Sequence, residues 1–222
     1  MHTVTEEKME KYIETTMKNL EKNGMKPFYC ETKEEVAAIV KSLIKDGESI
    51  SNGGSETLKA CGIFDIIKSG NYDFIDRTGL EGEAVREAYI RAFGCDTYFC
   101  SSNAVTERGE LYNVDGNSNR VACIVYGPRQ VIMVVGRNKI VPDINAAIKR
   151  VKEKAAPPNC ERLHLANPCT KLGSCVSLKL DDPYLCDGCA LDSRICCNYV
   201  VSAKQRHKDR IKVIIVNEDL GY

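Results

Sequence analysis

The sequence lacks a surplus of positive charge and any long apolar run, and each absence excludes a class of protein. Lysine and arginine together number 31, as do aspartate and glutamate, so no net positive field is present to hold nucleic acid or an anionic membrane surface. The longest apolar runs, such as VIMVVG, have the length of a strand and fall far short of the roughly 18 residues of a membrane span. We therefore expect a soluble protein that binds neither nucleic acid nor membrane.

The amino-terminal residues also lack the apolar centre of a signal peptide. Residues 6–20 instead place apolar side chains three and four positions apart, which predicts a helix that ends at Asn23-Gly24. Because no signal for export is present, we expect a cytoplasmic protein. A length of 222 residues is typical of one main domain.

Cysteine is the unusual feature of what the sequence does contain. Of the 12 cysteines, five are scattered and seven lie within residues 160–197. A reducing cytosol leaves such thiols free for metal binding or chemistry instead of a disulfide frame. Residues 159–198 also have almost no hydrophobic periodicity, so something other than an apolar core must order them. Metal or cluster binding, a redox disulfide and inert thiols are the alternatives that the residues leave.

Apolar runs and turn residues predict an α/β fold. ESIS, YDFID and TYFCSS are typical of strands separated by helices, which favours a mostly parallel sheet. ELYNVD, VACIVY and VIMVVG follow with only short turns between them, so we expect antiparallel neighbours within one mixed sheet. A helix after Pro142 is predicted to stop at Pro157-Pro158. The closing IKVIIVNEDL predicts a buried strand that returns to the main sheet.

These elements predict three units along the chain. Residues 1–30 form an amino-terminal helix unit, and residues 31–158 together with 210–222 form the α/β core. Residues 159–209 form a cysteine-rich insertion before the last strand.

A glycine turn is the first candidate binding element. Residues 52–58, NGGSETL, place small residues where a strand leads into a helix, and backbone amides at such a turn can receive a phosphate or carboxylate. A simple turn capped by Ser55 is an equally weighted alternative.

A polar stretch, residues 101–120, is the second candidate element. It sets polar residues between apolar strands, and strand ends in α/β sheets line the ligand crevice. Glu107 is suited to act there as a base or nucleophile, and Arg120 to pair with an anion. A solvated hairpin is the alternative. Asn138-Lys139 follows another strand, although a surface lysine explains that pair equally well. The predicted ligand-binding residues are Gly53, Gly54, Ser55, Thr57, Asn103, Asp115, Asn119, Arg120, Asn138 and Lys139.

Several runs together resemble one known family. GGSETL, the stretch from SSNAVTERGELYNVDGNSNR to VVGRNKIV, AAPPNCERL and RIKVIIVNEDLGY resemble the LUD (lactate utilisation) domain family, formerly a domain of unknown function. The resemblance covers most of residues 35–222. It implies a fold like that of sugar-phosphate isomerases and CoA transferases, with a cleft for a small anionic metabolite. Glu107-Arg108-Gly109 resembles the Glu-x-Gly of CoA transferases, in which the glutamate is the nucleophile.

The resemblance extends to a subgroup of this family with carboxy-terminal cysteines. The fragments NPC, GSC, GC and RIC match its pattern and imply Cys169, Cys175, Cys189 and Cys196 as ligands, with Cys186 spaced as a pair with Cys189. Four thiolates suit either zinc or an iron–sulfur cluster, and the sequence does not decide between them.

The resemblance also implies a role beside iron–sulfur oxidoreductase subunits. Our first hypothesis is an accessory or electron-transfer-linked component of lactate or hydroxy-acid utilisation that binds a small anion and a metal centre. The alternatives are an autonomous isomerase- or CoA-transferase-like enzyme that uses Glu107 beside a structural zinc, and a non-catalytic, zinc-stabilised binding module. A homodimer is an open alternative for its assembly.

Overall fold

A computed structural model describes residues 9–222 of the chain. A six-stranded sheet forms its centre, and every strand pair in it is parallel. The strands in spatial order are β1 (Lys26–Cys30), β10 (Ile211–Val216), β7 (Gln130–Gly136), β4 (Thr97–Cys100), β2 (Ser49–Asn52) and β3 (Asp73–Phe74).

The central strands β7 and β10 have the sequences expected of a parallel sheet that helices cover on both faces. They pair from Ile211 beside Val131 to Val216 beside Gly136. Both strands are nearly continuous apolar runs, which is typical of strands with helices on both sides. The predicted return of the last strand to the main sheet is confirmed.

Helices cover both faces of the central sheet. One apolar core includes Ile13, Leu20, Ala88 and Ile124 and packs three helices against one face; these are α1 (Lys11–Lys22), α5 (Gly82–Phe93) and α6 (Asn119–Val125). A second core packs the opposite face against α2 (Val36–Leu43), α3 (Glu56–Ala60) and α4 (Ile63–Ile67). The predicted α/β class, with a mostly parallel sheet flanked by helices, is confirmed.

A second, four-stranded sheet lies apart from the first. Its strands in spatial order are β8 (Ile140–Val141), β5 (Ala104–Thr106), β6 (Leu111–Asp115) and β9 (Asn198–Ser202). β6 pairs antiparallel with β5 and β9, whereas β8 pairs parallel with β5. A third apolar cluster, which includes Tyr112 and Val151, packs this sheet against the long helix that follows β8.

The expectation of one mixed sheet with VACIVY as a strand is wrong. That segment forms α6, whose first turn donates backbone hydrogen bonds from Arg120 and Val121 to the Asp115 carboxylate. Val121 and Ile124 lie three residues apart and are both buried. The acidic cap and the buried helical face therefore outweigh the β-propensity of the valines and isoleucine.

The long helix does not stop at the two prolines as expected. It runs through α7 (Ile144–Arg150), a π-helical turn (Val151–Ala155) and α8 (Ala156–Arg162). Pro157 and Pro158 lie in the first turn of α8, where a backbone donor is not required, and the π turn before them shifts the hydrogen-bond register. The predicted boundary at residue 158 therefore falls inside a helix.

The remaining elements are short. They are α9 (Pro168–Leu172) and the 3-10 turns Lys33–Glu35, Arg137–Lys139 and Val176–Lys179.

The amino-terminal unit contributes strand β1 as well as α1, and the predicted helical residues 6–8 lie outside the described part of the chain. Among residues 9–222, none of the helices is long and apolar enough to cross a membrane.

Candidate functional site

A polar cleft of about 610 Å³ lies at the carboxyl edge of the central sheet. It opens where the loops after β2 and β4 separate, since the chain leaves β2 for β3 on one side and returns to β4 on the other. Such a reversal is where α/β sheets bind ligands. The predicted ligand-binding residues that line this cleft are Gly53, Gly54, Ser55, Asn103, Asp115, Asn119, Arg120 and Lys139.

The main role of the glycine turn is to let the backbone lie close to Arg120. Anion binding at the helix terminus that follows is secondary. A Cβ on Gly53 would lie 3.0 Å from Arg120 Cδ and 3.2 Å from the Tyr98 hydroxyl, so a side chain there would require Arg120 or Tyr98 to shift by a few tenths of an ångström. The Ser55 hydroxyl accepts a hydrogen bond from the Leu58 amide at 3.2 Å. Ser55 therefore caps the helix, which agrees with the interpretation of this segment as a simple capped turn.

Arg120 holds the polar stretch together. Its guanidinium donates to the carbonyl oxygen of Val114 at 2.7 Å and to the side-chain oxygens of Asn113 and Asn103 at 2.7 and 3.0 Å. Asp115 lies 3.9 Å from its Nε. These bonds tie the end of β6 to the loop after β4, so the guanidinium is largely occupied in shaping the cleft wall.

Lys139 is the buried cation of the cleft. Its side chain is 3% exposed, and Nζ donates to the Thr57 hydroxyl at 2.9 Å and to the Ser101 hydroxyl at 3.0 Å. Burial, followed by the charges of Arg150 and Arg120, lowers the pKa of Lys139 to about 7. Thr57 itself is fully buried behind the lysine, so it supports Lys139 and does not line the cleft.

Besides Arg194, two arginines that the sequence did not single out line the cleft. Arg77 donates to the Asn52 carbonyl at 3.1 Å and lies over the Tyr89 ring. Arg162 donates to the Tyr222 hydroxyl at 2.7 Å. Both guanidinium groups approach the open side of Gly54. Arg77 follows a predicted strand, so the sequence could have predicted its place at the sheet edge. Arg162 lies on a helix, and no sequence pattern indicates that it reaches the cleft.

The charge of the cleft favours an anion. Its lining contains five cationic side chains against three acidic ones. The cations are Arg77, Arg120, Lys139, Arg162 and Arg194, and the acids are Glu56, Asp115 and Asp192.

Besides Thr57, two predicted site residues do not reach the cleft. Asn138 donates to the Gly221 carbonyl and accepts from the Leu220 amide, which fixes the carboxy-terminal segment. Glu107 lies in a shallow surface depression beside Tyr12 of helix α1. Its predicted role as nucleophile therefore has no geometric support at this cleft.

The glycine of the Glu-x-Gly motif, Gly109, has a packing role, because it lies against helix α1. A Cβ there would lie 2.5 Å from the Asn19 carbonyl carbon and 2.6 Å from the Leu20 nitrogen. The Asn19 side chain also donates to the Glu107 carbonyl at 2.7 Å. The turn between β5 and β6 is thus pressed against α1, and the glycine is a contact residue.

Gly109→Ala is expected to destabilise the protein by about 3 kcal/mol or more, because backbone strain and overpacking add. Gly47 is the matched control, with φ of +80° against +79° for Gly109. No atom of the described chain lies near a Cβ built at Gly47, so Gly47→Ala should cost only about 1 kcal/mol. Urea unfolding measures both, and equal losses would contradict the packing role.

Five cysteines line a second, smaller cavity, which we call the thiol cavity; they are Cys160, Cys169, Cys175, Cys189 and Cys196. Its volume of about 30 Å³ is far smaller than that of the polar cleft and suits an ion or a compact inorganic centre. Cys186 is exposed and does not line it, and Cys160 on α8 takes its place. Within residues 9–222, no three potential ligands are grouped as for a single ion.

Burial favours the neutral form of two thiols of the cavity, those of Cys160 and Cys196. Burial raises the pKa of Cys196 to about 12, and its neighbouring thiols add to the effect. Burial also raises the pKa of Cys160 to about 12, with the hydrogen bond to Cys169 as the next cause. A bound cation would have to displace these protons, so binding would release them.

Arg194 lies in the wall between the thiol cavity and the cleft. It lines both, as does Ile195. Its guanidinium donates to the backbone carbonyls of Cys186 and Cys196 at 2.6 and 2.8 Å, and to that of Cys189 at 3.3 Å. One cation therefore organises the cysteine-bearing loop and faces the cleft.

The sequence matches the model of the LUD domain over residues 13–216. The chain belongs to the LUD domain family. This match spans the central sheet, the cleft and the cysteine-rich segment of the LUD protein. No curated protein sequence gives a significant match to it.

One solved structure supports the fold of this LUD protein. The chain is similar to a crystal structure of a DUF162 family protein from Deinococcus radiodurans, with 15% identity, a TM-score of 0.51, and 92% of this chain and 96% of that chain covered. A second match is to eIF2B beta from Chaetomium thermophilum, with 13% identity, a TM-score of 0.36, and coverage of 51% and 44%. The first match shows a shared fold.

Proposed function

We propose that this LUD protein binds a small anionic hydroxy or oxo acid in its cleft and a metal centre in its thiol cavity. It would then act as an accessory or electron-transfer-linked component of lactate or related hydroxy-acid utilisation, beside iron–sulfur oxidoreductase subunits. Membership of the LUD family supports an association with lactate utilisation.

The observation that carries the proposal is the excess of cations around the cleft at the carboxyl edge of the sheet. Within residues 9–222, the Arg77 guanidinium donates one hydrogen bond, although the group has five N–H donors. Arginine forks match carboxylate geometry. We assign Arg77 and Arg162 to the ligand carboxylate and Lys139 to the neighbouring oxygen.

The metal centre is supported by the donor set of the thiol cavity. Five cysteines line one cavity, and cysteine thiolates are chemically suited to zinc or to an iron–sulfur cluster. A cluster accepts thiolates that are spaced more widely than those around a single ion, since its iron atoms occupy different corners. When bound, the centre would contribute either structural cross-linking or one-electron transfer. The shared wall at Arg194 would then place it next to the anion.

The enzyme hypothesis based on Glu107 has no comparable support, because that side chain lies on the surface beside α1. The cleft residues instead favour binding and orientation of an acid. A non-catalytic, zinc-stabilised module would contain zinc and no redox-active cluster, and elemental analysis with a visible absorption spectrum on anaerobically purified protein distinguishes the two.

Arg77→Gln and Arg162→Gln are each expected to weaken lactate and pyruvate binding roughly 10-fold, because a hydrogen bond to a charged group contributes ~1.5–3 kcal/mol. The matched control is Arg129→Gln, since that side chain is 86% exposed and precedes β7 at the opposite end of the sheet. Isothermal titration calorimetry measures the affinities. The proposal is overturned if the wild-type protein binds neither acid, or if the control weakens binding as much.

A further inference from the structure

Lys139 has a placement that anion binding alone does not explain. We propose that its amine forms a covalent imine, a Schiff base, with the carbonyl carbon of a 2-oxo acid held in the cleft. This rests on the proposed function, since it uses the same cleft, and it adds a chemical step and a substrate class.

The geometry isolates the amine from carboxylates. Lys139 is 3% exposed, and its hydrogen-bond partners within residues 9–222 are the hydroxyls of Thr57 and Ser101. A buried lysine that only carries charge is normally paired with a carboxylate, because an unpaired buried charge is costly. A lysine between two hydroxyls in a ligand cleft is instead arranged so that the neutral amine is stable.

The electrostatics point the same way. Burial is the largest cause of the lowered pKa of about 7, and the positive charges of Arg150 and Arg120 add to it. Near neutral pH a large fraction of the amine is therefore unprotonated and nucleophilic. Desolvation combined with a cationic neighbour is how proteins activate lysines for imine formation.

The lining of the cleft selects the substrate class. Arg77 and Arg162 approach Gly54 and suit a carboxylate, while Lys139 requires a carbonyl carbon. A 2-oxo acid carries both groups on adjacent atoms. A 2-hydroxy acid such as lactate has the carboxylate but no carbonyl, so it should bind without forming a covalent bond.

The step balances without any oxidant or reductant. The neutral amine of Lys139 adds to the carbonyl carbon, which forms a carbon–nitrogen bond, and the carbonyl oxygen takes up a proton. That oxygen leaves as water with the second proton of the nitrogen, which gives a neutral imine, and the imine becomes protonated by taking up one proton from the solvent. Thr57 and Ser101 accept hydrogen bonds from the amine, so their hydroxyls are placed to pass the protons from nitrogen to oxygen.

The test is reductive trapping on the full chain. With pyruvate and cyanoborohydride, we expect a mass gain of one reduced pyruvate unit that peptide mapping assigns to Lys139. Trapping should be faster at pH 8 than at pH 6, because the neutral amine is the nucleophile, and excess lactate should suppress it.

Two variants control the assignment. Lys139→Met should lose the adduct, whereas Lys212→Met should keep it. Lys212 is the matched control because burial also lowers its pKa, yet its amine donates to the Asp209 carbonyl and it does not line the cleft. An unchanged circular dichroism spectrum for Lys139→Met shows that the loss is not unfolding.

Calorimetry on the same sample separates the two proposals. If pyruvate binds but no adduct forms at Lys139, or if surface lysines react equally, the imine inference is overturned while the proposed function stands. If neither acid binds, the proposed function is overturned and the imine with it.

Discussion

Cys169→Ser and Cys196→Ser are each expected to lower the bound metal content of anaerobically purified protein by roughly 10-fold or more. Loss of a second-shell partner alone costs ~10–100-fold in metal affinity, and loss of a ligand costs at least as much. Both residues line the thiol cavity, and serine is too hard a donor to replace thiolate for zinc or iron–sulfur centres.

Two exposed cysteines provide matched controls for this prediction. Cys186 and Cys197 lie in the same segment but do not line the thiol cavity, so Cys186→Ser and Cys197→Ser should retain the metal. Elemental analysis measures the content, and a visible band identifies a cluster. Metal retained in Cys169→Ser, or lost equally in Cys186→Ser, would show that the centre is held elsewhere.

Arg120→Met is expected to destabilise the protein by about 3–5 kcal/mol, as removal of one partner from a buried charged network does. It would remove the arginine's hydrogen bonds to the side-chain oxygens of Asn103 and Asn113 and to the carbonyl of Val114, while the Asn103 oxygen would keep its hydrogen bond from the Val114 amide. The Asp115 carboxylate would also lose its nearest cation. Urea unfolding measures the loss, and anion binding should fall with it.

Arg120→Lys separates the charge of this residue from its geometry. Lysine keeps the positive charge but cannot reproduce the planar fork, so we expect it to recover little of the lost stability. Arg129→Met, at an exposed position, should change stability by less than about 0.5 kcal/mol. If Arg120→Lys were as stable as the unmodified protein, charge and not the hydrogen-bond network would hold the cleft wall.

The main sheet was predictable from the sequence because its strands are buried on both faces. VIMVVG and IKVIIV are continuous apolar runs, and they became the central strands β7 and β10. The polar stretch predicted residues of the cleft, because polar residues that directly follow buried strands must lie at a sheet edge. Asn103, Arg120 and Lys139 reached the cleft in this way.

Other features depended on tertiary contacts that no local pattern shows. The helix α6 forms because Asp115 caps it, and a run of β-branched residues gives no sign of that cap. Cys160 reaches the thiol cavity because the long helix continues past Pro157. Glu107 was assigned to the cleft from its place in the polar stretch and from a three-residue motif, and the glycine of that motif serves contact with α1.

A crystal structure of the protein with pyruvate tests the central claim most directly, namely that the cleft at the carboxyl edge of the sheet receives a small anionic acid. We predict ligand density between the Gly54 turn and Lys139, with its carboxylate in contact with Arg77 and Arg162. Pyruvate bound outside this cleft, or a cleft without ligand at saturating pyruvate, would contradict the account.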